Sequence, residues 1–346
     1  MKTCAPDRVG HRVLTRNSAV LAALLLAIQL TVTSASSQTR AQFAEPLSTG
    51  PKAYIALSQY SEVAVVDTRT NRVLEYIPGL LGAHDLIASP DGRTVYVATD
   101  GLSTVSVIDT STDNVIAAIR VGFDPSGLAL SPDGRQLLVS LWSASEVLSI
   151  DTASYQISGH IAVPWPGRSA ISPDGRRAYV SSLDNGGPSL TILDLRSHSR
   201  IGRVPLGATP AALNFGSGGR RLYLTMADMH SILALDTRTD RMVGRITVPA
   251  EPGNLTPTQD GRSMLVVSQE RGALDLVDLA RGVVSGTIMV GKTPTGVAVG
   301  PDEHIAYVAN KGSDNVLVID LDSRTVIANI SVGYGPTEIV LQPRSH

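Results

Sequence analysis

Cysteine is almost missing from this chain: Cys4 is the only one in 346 residues. One thiol rules out an intramolecular disulfide framework, a thiolate zinc site and a C-x-x-C-H haem attachment. Aromatic residues are scarce, at 4% with three Phe and two Trp. The core therefore has to be built from aliphatic side chains. No apolar run approaches the roughly 20 residues of a membrane-crossing helix; Ala19–Leu30 spans only 12. Charge is sparse and nearly balanced, 17% with a net of −2, which argues against nucleic acid as the main ligand. H-E-x-x-H, G-x-S-x-G, a Walker loop and a D-x-[DN]-x-[DN]-G calcium loop are all missing, and with them the hydrolase, nucleotide and calcium chemistries they carry.

What is present begins with a basic stretch, Lys2, Arg8, Arg12 and Arg16, ahead of that apolar run. Thr33-Ser34-Ala35 then offers small residues at −3 and −1, with Ala41 as a second cut. This is the layout of a secretory signal peptide over 1–35; an uncleaved anchor is the alternative. Cleavage would remove Cys4 and leave a net charge of −5, since 1–35 carry four Lys/Arg against Asp7. The expected product is periplasmic or secreted, monomeric and without a membrane span. Residues 36–50 read as a flexible tail.

The remainder, 51–346, repeats itself. Residues 293–333 hold four strand-length runs, Gly296–Val299, Ile305–Ala309, Val316–Ile319 and Val326–Val332, separated by turn residues. An Asp closes the third run at 67, 109, 151, 194, 236, 278 and 320, at intervals of 42 or 43. Tyr54, Tyr96, Leu138, Tyr179, Tyr223, Leu265 and Tyr307 mark the second run with nearly the same period. Seven four-stranded units of about 42 residues predict a seven-bladed β-propeller. The S-P-D-G turns at 89–92, 131–134 and 172–175 join the first two strands: Pro fixes φ, Asp bonds nearby backbone and Gly takes φ > 0. The seven aligned Asp read as turn residues. The chain enters on a second strand (Tyr54–Leu57) and leaves on a first strand (Thr337–Leu341). The ring should close with one C-terminal and three N-terminal strands in a shared blade.

Tyr307-Val308-Ala309-Asn310, Tyr96-Val97-Ala98-Thr99 and Tyr179-Val180-Ser181-Ser182 are close to Y-V-T-N. With the S-P-D-G turns, the chain resembles the YVTN-repeat β-propeller family of exported proteins. That resemblance covers about 50–341 and implies the fold, while such folds serve many functions.

First strands line the channel of a propeller. Two columns fall at its upper mouth: His84, Ser126, Gly167, Ala211, Gly253, Thr295, Thr337, then Asp85, Gly127, Arg168, Ala212, Asn254, Gly296, Glu338. Most entries are small. The polar exceptions, His84, Asp85, Arg168, Asn254 and Glu338, are the candidate ligand site, with His84, Asp85 and Glu338 expected as neighbours. Arg168 could fork onto a carboxylate or phosphate. The bland reading is a charge-paired, water-filled plug. Trp142 and Trp165, on loops of the same face, are candidates for partner contact; blade packing is the alternative. Arginines after the S-P-D-G turns are matched by nearby acids, so that face reads as mixed and solvated.

These residues suggest a non-catalytic binding scaffold for a partner protein or small ligand, with no resident cofactor. The alternatives are a lactonase-like or amine-dehydrogenase-like propeller, or a divalent metal at His84, Asp85 and Glu338. Only one histidine at the hub excludes a multi-histidine copper centre. A single axial His for a haem-type group, as in eight-bladed haem d1 propellers, stays open, although the count of seven blades disagrees.

Overall fold

The computed structural model describes residues 50–343. The expected signal peptide and nearly all of the tail lie outside them. Twenty-eight strands form seven four-stranded antiparallel sheets, a seven-bladed propeller. Blade 1 is Pro336–Leu341, Lys52–Leu57, Glu62–Asp67 and Arg72–Pro78. The C-terminal strand supplies its innermost position, pairing Ala53 with Leu341 and Tyr54 with Val340, so the ring closes as the phase of its ends required. Blades 2 to 7 begin at Ala83, Pro125, Ser169, Ala212, Pro252 and Pro294. No helix among the described residues is long and apolar enough to cross a membrane.

Middle strands are buried on both faces and read as continuous apolar runs, such as Val63–Val66 and Val316–Ile319. Outer strands alternate exposed and half-buried residues, as in Arg72–Pro78. Apolar clusters lie between neighbouring blades: Ile55, Leu57 and Val66 of blade 1 pack with Tyr307, Val316 and Val318 of blade 7. Aliphatic interlocking of this kind replaces the large aromatic core that the composition denies.

The repeated polar residues are turn and seam devices. In the first S-P-D-G turn, Gly92 donates its N–H to Ser89 O and adopts φ +69°. Asp91 Oδ1 accepts from Ser89 Oγ at 2.6 Å and from Arg93 N–H at 3.0 Å. These bonds, the Ser hydroxyl first, lower the Asp91 carboxyl below its ordinary range. Each third-strand Asp accepts backbone N–H groups of the following turn, as Asp67 does from Arg69 and Thr70. The Thr after it reaches back instead: Thr110 Oγ1 donates to Gly92 O at 2.6 Å. The buried second-strand Tyr crosses to the next blade, where Tyr179 donates to Asp240 Oδ1 at 2.8 Å and Tyr54 to Asp113 Oδ1 at 2.6 Å.

Candidate functional site

The second mouth column lines the channel as expected. Asp85, Arg168, Asn254 and Glu338 surround a cavity of about 120 Å³ with Leu86, Leu128, Ser169, Ala212 and Leu213. Room of that size holds a few waters and no ring system. The small entries have steric causes. A Cβ at Gly127 would lie 2.7 Å from Gly167 O, and one at Gly296 3.0 Å from Thr337 O, because first strands of adjacent blades touch there.

The polar side chains pair with one another. Arg168 Nη1 lies 3.4 Å from Asp85 Oδ2. Asp85 also accepts Leu128 N–H at 2.9 Å and Leu86 N–H at 3.1 Å, so it caps the inner edge of the neighbouring blade. Asn254 Nδ2 donates to both oxygens of Glu338 at 2.9 Å. Burial, then the Asp85 charge, pushes the Glu338 carboxyl up to about 8 against the pull of Arg168. The Asp85 charge raises the Arg168 guanidinium against the cost of its burial. With Glu338 protonated near neutral pH, one cation faces one anion. This arrangement matches the charge-paired reading of the mouth, with Arg168 engaged by Asp85 and Glu338 by Asn254.

His84 corrects one expectation. It is not among the residues lining that cavity. Adjacent residues of a strand point to opposite faces, and pairing with the next strand shifts register between Ala83 and Asp85. Nor do three His, Cys, Asp or Glu side chains gather as metal ligands among the described residues, so His84, Asp85 and Glu338 do not form the divalent-metal site considered from sequence. The half-buried His84 ring instead sets Nδ1 2.9 Å from Gly82 O. A carbonyl only accepts, so Nδ1 is the donor of this bond, and Nε2 has no hydrogen-bond partner among the described residues. Other entries of this column tie blades together: Ser126 Oγ donates to Pro166 O at 2.9 Å and Thr295 Oγ1 to Pro336 O at 3.0 Å.

The mouth face carries exposed apolar side chains, of which the sequence reading had singled out Trp165 and passed over Phe123, Leu81 and Tyr334. Trp165 is 45% exposed and Phe123 79%, with Leu81, Tyr60 and Tyr334 also exposed; Trp142 is half-buried. Phe123, Trp165 and Tyr334 occupy one position of the blade-to-blade loop, two residues after Val121, Val163 and Val332, where blade 7 opens with Lys292. Aligning that loop as a column would have found them. Tyr60 and Tyr334 stack tilted at 5.2 Å between ring centres. All five belong to loops of blades 1 to 4 or to the closing seam.

The Cytochrome D1 heme domain family matches residues 53–163, blades 1 to 3 and His84 among them. No curated protein matches the chain. Solved propellers align over most of it. Hydrazine synthase of Kuenenia stuttgartiensis is 21% identical with a TM-score of 0.67, covering 74% of this chain and 88% of that one. A functionally unknown protein of Desulfotomaculum acetoxidans is 15% identical with a TM-score of 0.70, covering 85% and 99%. Dihydro-heme d1 dehydrogenase NirN, in complex with DHE, is 18% identical with a TM-score of 0.67, covering 86% and 76%. At these identities the likeness establishes the propeller fold. The YVTN resemblance stays at the level of repeats.

Proposed function

We propose that this chain is an exported, non-catalytic propeller that holds a planar haem-type ring across its channel mouth, with His84 ligating the ring's metal. One observation carries the reading: the His84 Nδ1–H is fixed on the Gly82 carbonyl, which leaves Nε2 free to ligate. Histidines that bind metals ordinarily anchor their second nitrogen in this way. The residues present fit such a group. Leu81, Phe123 and Trp165 would offer it exposed apolar and aromatic surface on the same face. When bound, the group would supply a redox-active metal; His84 would supply a nitrogen ligand to it. Two likenesses support the choice of ligand: the haem-domain match contains His84, and NirN is described in complex with DHE.

An absorption titration with haem tests this. The wild type is expected to bind one equivalent with a shifted Soret band. His84→Ala should lose the shift and weaken binding at least tenfold, while its melting temperature stays within a few degrees of wild type. A variant spectrum identical to wild type would sink the assignment.

A further inference from the structure

Seven copies of one unit let each position be read against its counterparts. Two residues before the second-strand marker, three blades carry a cation, Lys52, Arg177 and Arg221, each followed by Tyr54, Tyr179 or Tyr223. At the first two, the next blade supplies an Asp from a left-handed turn position. Asp113 (φ +53°) meets Lys52 Nζ at 2.5 Å and the Tyr54 hydroxyl at 2.6 Å. Asp240 (φ +53°) meets Arg177 Nη1 at 3.3 Å and the Tyr179 hydroxyl at 2.8 Å. At the third, the same turn position is Gly282 (φ +67°). Among the described residues, the Arg221 guanidinium and the Tyr223 hydroxyl have no hydrogen-bond or ion-pair partner.

A second carboxylate is missing beside the first. Gly218 stands where Asp91, Asp133, Asp174, Asp260 and Asp302 stand in the other hairpins. The turn still closes, with Gly219 N–H on Gly216 O at 3.0 Å. The seam between blades 5 and 6 has thus dropped two acids and kept its cations. A cleft of about 600 Å³ opens there, lined by Arg220, Arg221, Tyr223 and Arg262 together with one acid, Asp236. Asp236 is engaged by its own turn: Oδ1 accepts N–H from Arg238 and Thr239, and Oδ2 lies 3.6 Å from Arg220. The corresponding cleft between blades 3 and 4 sets Asp133, Asp151 and Asp174 against Arg135. The face expected from sequence to be evenly mixed therefore has a cationic sector.

We propose that the blade 5–6 cleft binds a small oxyanion, phosphate in preference to a carboxylate, in the place that Asp113 and Asp240 fill at the other seams. Arg221 and the Tyr223 hydroxyl donate to it as Arg177 and Tyr179 donate to Asp240. Arg220 and Arg262 stand at the rim with exposed guanidinium groups that each reach one acid, Asp236 at 3.6 Å and Asp260 at 3.9 Å, so Arg221 is the cation left for a dianion to pair with.

The chain itself supplies the decisive variant. Gly282→Asp restores the acid of the other seams at a backbone angle Asp240 already adopts. There is room for it, since an added Cβ would have Ile246 Cγ1 as its nearest neighbour at 3.8 Å. Binding of inorganic phosphate by the full chain is measured by calorimetry and by melting temperature, with acetate and chloride at matched ionic strength. Phosphate should bind the wild type and raise its melting temperature. Arg221→Gln should weaken binding at least tenfold, and Arg177→Gln should leave it unchanged. Gly282→Asp should abolish the phosphate response and raise the melting temperature in phosphate-free buffer. A wild type indifferent to phosphate, or undiminished binding in both Arg221→Gln and Gly282→Asp, overturns the site. Acetate binding as tightly as phosphate overturns the preference and assigns a carboxylate.

Discussion

Glu338 holds a proton in the folded chain near neutral pH because burial beside Asp85 pushes its carboxyl up to about 8. The unfolded chain gives that proton up near the ordinary value of 4.5. Between those two pH values the folded state binds the extra proton, so stability falls as pH rises. The contribution is whole below the ordinary carboxyl range and is lost through about pH 8. Glu338→Gln keeps the shape and removes the titration. Thermal melts from pH 5 to 8.5 should show the wild type losing several degrees more than the variant; parallel curves would count against a buried, proton-holding Glu338. The four channel residues were legible from sequence because small hub positions make any large polar entry stand out. The placing of His84 outside the cavity was not, because the register shift at Ala83–Asp85 leaves no mark in the alternation of side chains.

Strand, turn and seam each rest on local chemistry repeated seven times. Turns were the most legible part, since Ser-Pro-Asp-Gly states its own geometry and the third-strand Asp its own bonds. Seams were less so. That a Tyr answers a left-handed turn residue one blade on depends on contacts about 60 residues apart, which no short pattern carries. The Lys52–Asp113 pair is the most deeply buried of these, with side chains 3% and 0% exposed. Lys52 Nζ also donates to Thr110 O at 3.0 Å. Asp113→Ala would leave a buried ammonium and the Tyr54 hydroxyl without their acceptor, and should cost about 3–5 kcal/mol in denaturant unfolding. A loss under 1 kcal/mol would mean that water reaches this seam.

At the scale of the ring, the phase of the two chain ends fixed how the circle closes, and counting alone gave the number of blades. Asymmetry around the ring was the hidden part. Apolar side chains gather on the mouth face over blades 1 to 4 and at the closing seam, and a cationic cleft opens on the opposite face between blades 5 and 6. Both are departures from the repeat, and repetition is blind to departures until each loop is aligned as its own column. The ligand reading rests on the first of these, because it requires the ring to lie over the mouth, on His84. Anomalous diffraction at the iron edge from crystals of haem-loaded protein tests it most directly. The prediction is a single peak within bonding distance of His84 Nε2, above the Asp85–Arg168 pair. A peak elsewhere on the surface, or a loaded protein with iron on no residue of this chain, would contradict it.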